Sequence, residues 1–230
     1  MRIHLLRAVK WFFFKTPLWR YFLPVTKFDM SVSQLNFILE CIGSISNAGS
    51  VLEIGVGGGA SSVRINQFLQ SQPLARQFYA IDTFYGFTTE DIEFEQKQRN
   101  KKDDYLYYRS NSKEWYEKTL KSNGINDAVV FQADAKNFDY SKVSPIAFCL
   151  FDVDLFQPTE FVLPILYSLL VPGGIIVVDD CSADESIYDG AAQAYQNFCR
   201  EIGVNPEVVF EKLGVIRKPL DLIGVRSLCT

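Results

Sequence analysis

Residues 50–62 read SVLEIGVGGGASS: an apolar run, an acid, four glycines within five positions, then two serines. A backbone that bare, directly after a segment hydrophobic enough to be buried, suits a strand that turns tightly into a helix. Glycines allow left-handed backbone and let a ligand approach the main chain, whose amides are exposed at a helix N-terminus. The stretch therefore predicts one strand–turn–helix unit of an α/β domain, with a nucleoside-bearing ligand over the turn.

The rest of the chain repeats the rhythm. Strands are predicted at SVLEIGV (50–56), QFYAID (77–82), AVVFQAD (128–134), IAFCLFD (146–152) and GIIVVDD (174–180), with EVVFEKL and LIGVRSL as two final strands. The central runs are almost continuously apolar, as parallel strands covered on both faces require. Helices are predicted over 30–48, 60–70 and 189–203, the last closed by Gly203. Another follows the fourth strand in PTEFVLPILYSLLVPGG, with Phe161, Val162, Ile165, Leu166 and Leu169 on one stripe and PGG as its stop. Pro164 inside that run predicts a late start or a kink. The fold class is α/β: a doubly wound, Rossmann-like sheet of about seven strands, mostly parallel with an antiparallel last strand. Residues 85–126 are longer than one crossover needs and predict a lid-like or substrate-binding insert. Its Phe87, Tyr105, Tyr107, Tyr108, Trp115 and Tyr116 form either a ligand-facing wall or the insert's own small core.

Charge separates an arm from a body. Residues 1–28 carry six basic residues and no acid, and the remainder has a net charge of -10. An acidic body argues against a general nucleic-acid surface. The domain is expected over 29–230, with 1–28 as a basic, aromatic helical arm. In the arm, Leu5, Ala8, Val9, Phe12 and Phe13 share a helical face opposite Arg7, Lys10 and Lys15. Residues 1–24 suit either peripheral contact with an anionic membrane or a helix packed on the domain or in a dimer contact. Uncharged runs such as WFFF are too short to span a bilayer. Five cysteines without a C-x-x-C pair fit a reducing, cytoplasmic setting. The single histidine, His4, excludes a His-rich zinc site or a Ser-His-Asp triad in the body.

The glycine run fits two patterns. Gly55, Gly57 and Ala60 match the dinucleotide fingerprint, and Glu53, Gly55, Gly57 and Gly59 match the acid-x-Gly-x-Gly-x-Gly motif of class I methyltransferases. Asp82, ending the second strand, is placed to accept from ribose hydroxyls under either scheme. Glu53 favours S-adenosylmethionine: a carboxylate two residues before the turn suits a ligand carrying an ammonium and a sulfonium. No tyrosine has a lysine four residues on, against a short-chain dehydrogenase, and no G-K-[ST] follows the glycines, against a P-loop. A second constellation pairs FDVDLFQPT (151–159) with VVDDCS (177–182), each at the carboxyl end of a predicted strand. Asp152, Asp179 and Asp180 are thereby expected beside the cofactor. Clustered carboxylates repel unless something positive joins them, and an oxygen-liganded Mg²⁺ is the economical answer; the alternative is that they cap helices and loops.

These motifs, with IDTFYGF and PGGIIVVDD, occur in an order and at spacings that resemble the macrocin O-methyltransferase (TylF-type) family over about residues 35–228. The resemblance implies metal-assisted methyl transfer from S-adenosylmethionine to a hydroxyl of a sugar or other small molecule. It implies Asp152, Asp179 and Asp180 as metal ligands, Asp152 also as general base, and Asp82 at the ribose. Asp134 and Ala135 fall by the adenine, with Ser61 and Thr83 completing the cofactor set. Relatives suggest a homo-oligomer. Val153 and Phe156 depart from the family's usual glycine and tyrosine, which bears on the acceptor. The competing functions are a nicotinamide-dependent oxidoreductase and a non-catalytic, membrane-associated protein with a methyltransferase fold.

Overall fold

The computed structural model describes residues 30–182 and 187–220, together with Val9 and Phe12. The expected arm at 1–28 and the final strand at 222–228 lie outside the described residues, Val9 and Phe12 excepted.

The first helix, α1 (Val32–Ser44), starts at Ser31, whose hydroxyl and Gln34 form a reciprocal capping box. Then come β1 (Ser50–Ile54), α2 (Ala60–Ser71), β2 (Phe78–Asp82), α3 (Thr89–Gln98), α4 (Lys113–Ser122) and β3 (Val129–Gln132). Two short 3₁₀ turns, Ala135–Asn137 and Tyr140–Lys142, lead to β4 (Ile146–Phe151), α5 (Phe156–Leu169), β5 (Leu170–Val178), α6 (Asp189–Glu201), β6 (Glu207–Val209) and β7 (Leu213–Arg217). The seven strands form one sheet in the order β3-β2-β1-β4-β5-β7-β6. β3, β2, β1, β4 and β5 pair in parallel, and β7 runs antiparallel to both β5 and β6.

Strand alternation divides the core between the two faces. Val51, Phe78, Phe148, Leu150 and Val177 pack with α1, α2 and α4. Leu52, Ile54, Ile81, Cys149, Phe151 and Ile176 pack with α5 and α6. Glu53 therefore points to the face of α2 and α4, the same side as Val51.

Two sequence expectations are corrected. α5 starts at Phe156, so there is no late start, and its span includes Pro164. Pro164 lies on the exposed side, where the carbonyl that a proline nitrogen cannot serve is open to solvent. Its buried stripe is Val162, Leu163 and Leu166, and Phe161 and Ile165 are exposed. Nor does PGG stop a helix outside the sheet: Pro172, Gly173 and Gly174 lie within β5, where the register against β4 shifts. The partner of β6 is the segment 213–217.

The insert is fastened to the body by buried charge. Glu95 of α3 is fully buried, and its Oε1 accepts from the Phe156 amide at 2.8 Å. That bond serves the start of α5, whose N-cap residue, Leu155, offers no side-chain bond. Arg99 Nε lies 2.7 Å from Glu95 and its Nη2 lies 2.6 Å from Asp189 at the start of α6. Gly190 makes room for this contact, because a Cβ there would come within 2.5 Å of the Phe156 nitrogen and 2.8 Å of Glu95. Among the described residues no helix is long and apolar enough to cross a membrane.

Removing Glu95 leaves the Phe156 amide unpaired in a buried site and strips Arg99 of one of its two carboxylate partners, Asp189 remaining. Glu95→Ala is expected to cost about 3 kcal/mol in denaturant unfolding. Glu93→Ala, which breaks only the exposed Glu93–Lys97 pair, is expected to cost under about 0.5 kcal/mol.

Candidate active site

The parallel ladder continues one residue beyond the strands and brings their carboxyl ends side by side. The Gly55 amide donates to Ile81 O (2.9 Å), Asp152 N to Ile54 O (2.8 Å), and Asp179 N to Phe151 O (2.9 Å). β1 and β4 approach so closely there that a Cβ on Gly55 would lie 1.6 Å from the Asp152 carbonyl oxygen. Gly55 also has φ +79°, so no other residue fits without moving one strand.

A cavity opens over this edge. Its walls include Gly55, Gly57, Gly58, Ala60 and Ser61 from the glycine turn, Asp82 and Thr83 after β2, and Asp134 and Ala135 after β3. Asp152, Asp154, Asp179, Asp180 and Lys212 form the opposite side. A Cβ built on Gly57 or Gly58 would meet nothing within 4 Å, so the turn presents bare main chain to open space. That is the cradle a nucleoside-bearing cofactor needs.

Two members of the expected cofactor set do not line the cavity. Glu53 is fully buried beneath the turn, and its carboxylate accepts from Ser61 Oγ (2.5 Å) and Ser62 Oγ (2.6 Å). Tyr116 of α4 donates to Ser62 Oγ (2.9 Å), so a hydrogen-bonded chain joins the insert to β1 under the glycines. Gly59 caps α2 in the left-handed region and packs on the Tyr116 ring, which its missing Cβ would approach to 3.0 Å. Burial raises the Glu53 carboxyl to about 7, against the two serine bonds that lower it.

Asp82 braces the turn from the other side. Its Oδ2 accepts from the Val56 amide (2.8 Å) and its Oδ1 from the Phe84 amide (2.6 Å), and the Gly57 amide bonds the same carboxylate. Burial nonetheless pushes its carboxyl up. Asp134 caps the first 3₁₀ turn by accepting from Lys136 N (2.9 Å). Thr83 Oγ1 donates to Gly86 O at 2.6 Å and shapes the loop after β2.

The carboxylates after β4 and β5 divide in a way the sequence did not anticipate. Asp152, Asp154 and Asp180 each offer an oxygen, all within 4.8 Å of one another. Asp179, expected in that set, instead lies 2.9 Å from Lys212 Nζ through Oδ2. Its Oδ1 is buried with no hydrogen-bond partner. Asp154 and Asp180 both have left-handed φ, 61° and 55°, which aspartate tolerates better than most residues. Burial first, then the neighbouring acids, raise Asp152 and Asp154 well above the usual carboxylate range. A donor set of carboxylate oxygens, one orphaned oxygen beside it and acids reluctant to ionise together all fit a hard divalent cation.

Asp154 and Lys212 were not singled out from the sequence. Asp154 had a signal, an acid two residues beyond Asp152. Lys212 had none, because it arrives through the β6–β7 turn. Asp91 is a third addition, a buried cavity wall residue paired with Lys136 at 2.6 Å. The insert's aromatics split: Tyr105 and Tyr116 are buried core, Phe87 and Tyr108 line the cavity, and Tyr107 and Trp115 are exposed.

The family model described as macrocin-O-methyltransferase (TylF) matches residues 29–212. No curated protein matches the chain by sequence. Among solved structures, the O-methyltransferase NovP superposes with a TM-score of 0.62 at 16% identity, over 82% of this chain and 81% of that one. CalS11, a calicheamicin methyltransferase, gives 0.63 at 18% identity over 80% and 77%. Cofactor-bound Rv0187 from MTB gives 0.58 at 15% identity over 85% and 84%. At these identities the likeness is one of fold.

The raised Glu53 carboxyl makes stability depend on pH. The native chain holds this proton up to about 7, and the unfolded chain releases it near 4.5. The group's contribution is thus greatest below about 4.5 and is lost as pH rises to about 7. Glu53→Gln removes that dependence. Its stability relative to wild type is expected to rise between about pH 4.5 and 7, by on the order of 3 kcal/mol at most, and to level off above. Urea unfolding of both proteins at several pH values measures this, and a constant gap would show that Glu53 stays ionised.

Proposed function

The chain belongs to the macrocin-O-methyltransferase (TylF) family, whose members are S-adenosylmethionine-dependent methyltransferases, and from that premise we propose that it methylates a hydroxyl of a sugar or similar small molecule with the help of Mg²⁺. One observation carries the reading. The oxygens of Asp152, Asp154 and Asp180 gather within 4.8 Å of one another on a wall of the same cavity that the bare glycine turn lines. A nicotinamide enzyme needs the glycines but gives no reason for the acids. The names of NovP, an O-methyltransferase, and CalS11, a calicheamicin methyltransferase, support a natural-product acceptor.

When bound, S-adenosylmethionine supplies an electrophilic methyl group, and a divalent cation lowers the pKa of an acceptor hydroxyl and fixes its direction. The protein's residues do the rest. Gly57 and Gly58 expose main chain to the cofactor, and Asp82 holds the turn beside the ribose hydroxyls. Asp134 and Ala135 close the adenine end. Asp152, Asp154 and Asp180 would hold the cation. The Asp152 carboxylate takes the proton from the acceptor hydroxyl, since the sequence contains no histidine but His4. Phe87 and Tyr108 offer flat apolar surface for the acceptor's ring. Much of the rate enhancement comes from orientation.

We infer a cytoplasmic setting, in which residues 1–24 make either a peripheral contact with anionic membrane or a contact on the domain or between copies. On the first reading full-length protein sediments with anionic vesicles at low salt and is released at high salt, and on the second it does not sediment.

Two measurements test the catalytic reading. S-adenosylhomocysteine at a hundred times its dissociation constant should add about 2.7 kcal/mol of stability. NAD⁺ and NADH should add none, and a shift with either instead would sink the methyltransferase assignment of the turn. Asp152→Asn should retain the S-adenosylhomocysteine shift and lose roughly a thousandfold in turnover. Undiminished turnover would remove Asp152 from its role.

A further inference from the structure

Lys212 is the one lysine or arginine among the described residues that line the cavity, whose lining also includes Asp152, Asp154, Asp179 and Asp180. Its Nζ lies 2.9 Å from Asp179 Oδ2 and 3.2 Å from Asp180 Oδ1. The backbone fixes it there: Cys181 N donates to Lys212 O at 2.7 Å, and Lys212 N to Val209 O at 3.2 Å. The Lys212 main chain is thus tied to the residue that directly follows Asp180.

Asp180 belongs to two groupings at once. It is one of the three acids within reach of a single cation, and it is also half of an ion pair with Lys212. Asp179 belongs to the ammonium alone. A divalent ion entering among Asp152, Asp154 and Asp180 meets a positive charge already in contact with one of its ligands. Like charges separated by a few ångströms in a partly buried site interact strongly.

We propose that Lys212 is an internal counter-ion that sets the cation affinity of this site. It neutralises the aspartates at the end of β5 when no divalent ion is present, and it weakens the hold of Asp180 on an ion when one is. This rests on the divalent-cation reading of the acid cluster given above. Lys212 is on this view a positioning residue, acting through Asp179 and Asp180.

A purely structural salt bridge makes the opposite prediction, because removing it would disorder Asp180 and weaken cation binding. The test titrates Mn²⁺, read by its paramagnetic resonance signal, into full-length wild type, Lys212→Met and Lys212→Arg, each saturated with S-adenosylhomocysteine. Bound S-adenosylhomocysteine reports that each protein is folded. Lys212→Met should bind Mn²⁺ roughly tenfold tighter than wild type. It should also melt at a lower temperature in EDTA and gain more than wild type on adding Mn²⁺. Lys212→Arg should keep wild-type affinity. Lys212→Gln carries the same expectation as Lys212→Met, should the latter not fold. Affinity unchanged or weakened in Lys212→Met, or tightened in Lys212→Arg, overturns the proposal while leaving the cation site standing. Uptake of Mn²⁺ by none of the proteins removes the cation reading, and this inference with it.

Discussion

The contact between Gly55 and the Asp152 carbonyl is the constraint from which the site follows. A single methyl group at residue 55 would overlap that oxygen at 1.6 Å. Without it, β1 and β4 finish side by side, and the Asp152 amide closes the last rung on Ile54 at 2.8 Å. The glycine turn and the acid cluster are therefore the two strand ends of one backbone contact. What binds over the turn sits next to what binds at Asp152, whatever the surrounding loops do.

That edge concentrates negative charge, and the molecule offsets each part of it differently. Glu53 is covered by two serine hydroxyls and held close to neutral. Asp82 is met by main-chain amides of the turn it braces. Asp91 takes Lys136, and Asp179 takes Lys212. Burial first, and then neighbouring acids, Asp179 foremost for Asp152 and Asp180 foremost for Asp154, push these two carboxyls well above the usual range. Burial works to lower the Lys212 ammonium's pKa, but Asp179 and Asp180 outweigh it and leave it raised. Asp152, Asp154 and Asp180 converge on the cavity with Lys212, at Asp180, as their protein counter-charge, a distribution that a bound cation would complete.

The sequence revealed what is local and lost what depends on distance. Gly55, Gly57, Asp82 and Asp152 could be read because each follows its own strand, and a parallel sheet brings those ends together without further information. The side on which Glu53 lies was also legible in principle. Val51 and Glu53 are two apart, so period-2 alternation directs both to one face. Closeness in sequence to the turn competes with that pleat and points the other way. Proline and two glycines at the start of β5 look like punctuation, and only the shifted register against β4 lets them remain inside a strand. Lys212 depends on how the β6–β7 turn folds across the end of β5, which no nearby residue announces.

The insert shows the same division within one segment. Tyr116 is nearly inaccessible, packs on Gly59 and reaches Glu53 through Ser62, so it belongs to the cofactor side of the domain. Tyr105 is equally buried and donates to Ile187 O at 2.9 Å, tying the insert to the segment before α6. Glu95 and Arg99 bind the insert again at the starts of α5 and α6. Phe87 and Tyr108 of the same segment line the cavity, so the stretch that carries these buried anchors also supplies part of the wall facing the glycine turn and the acids.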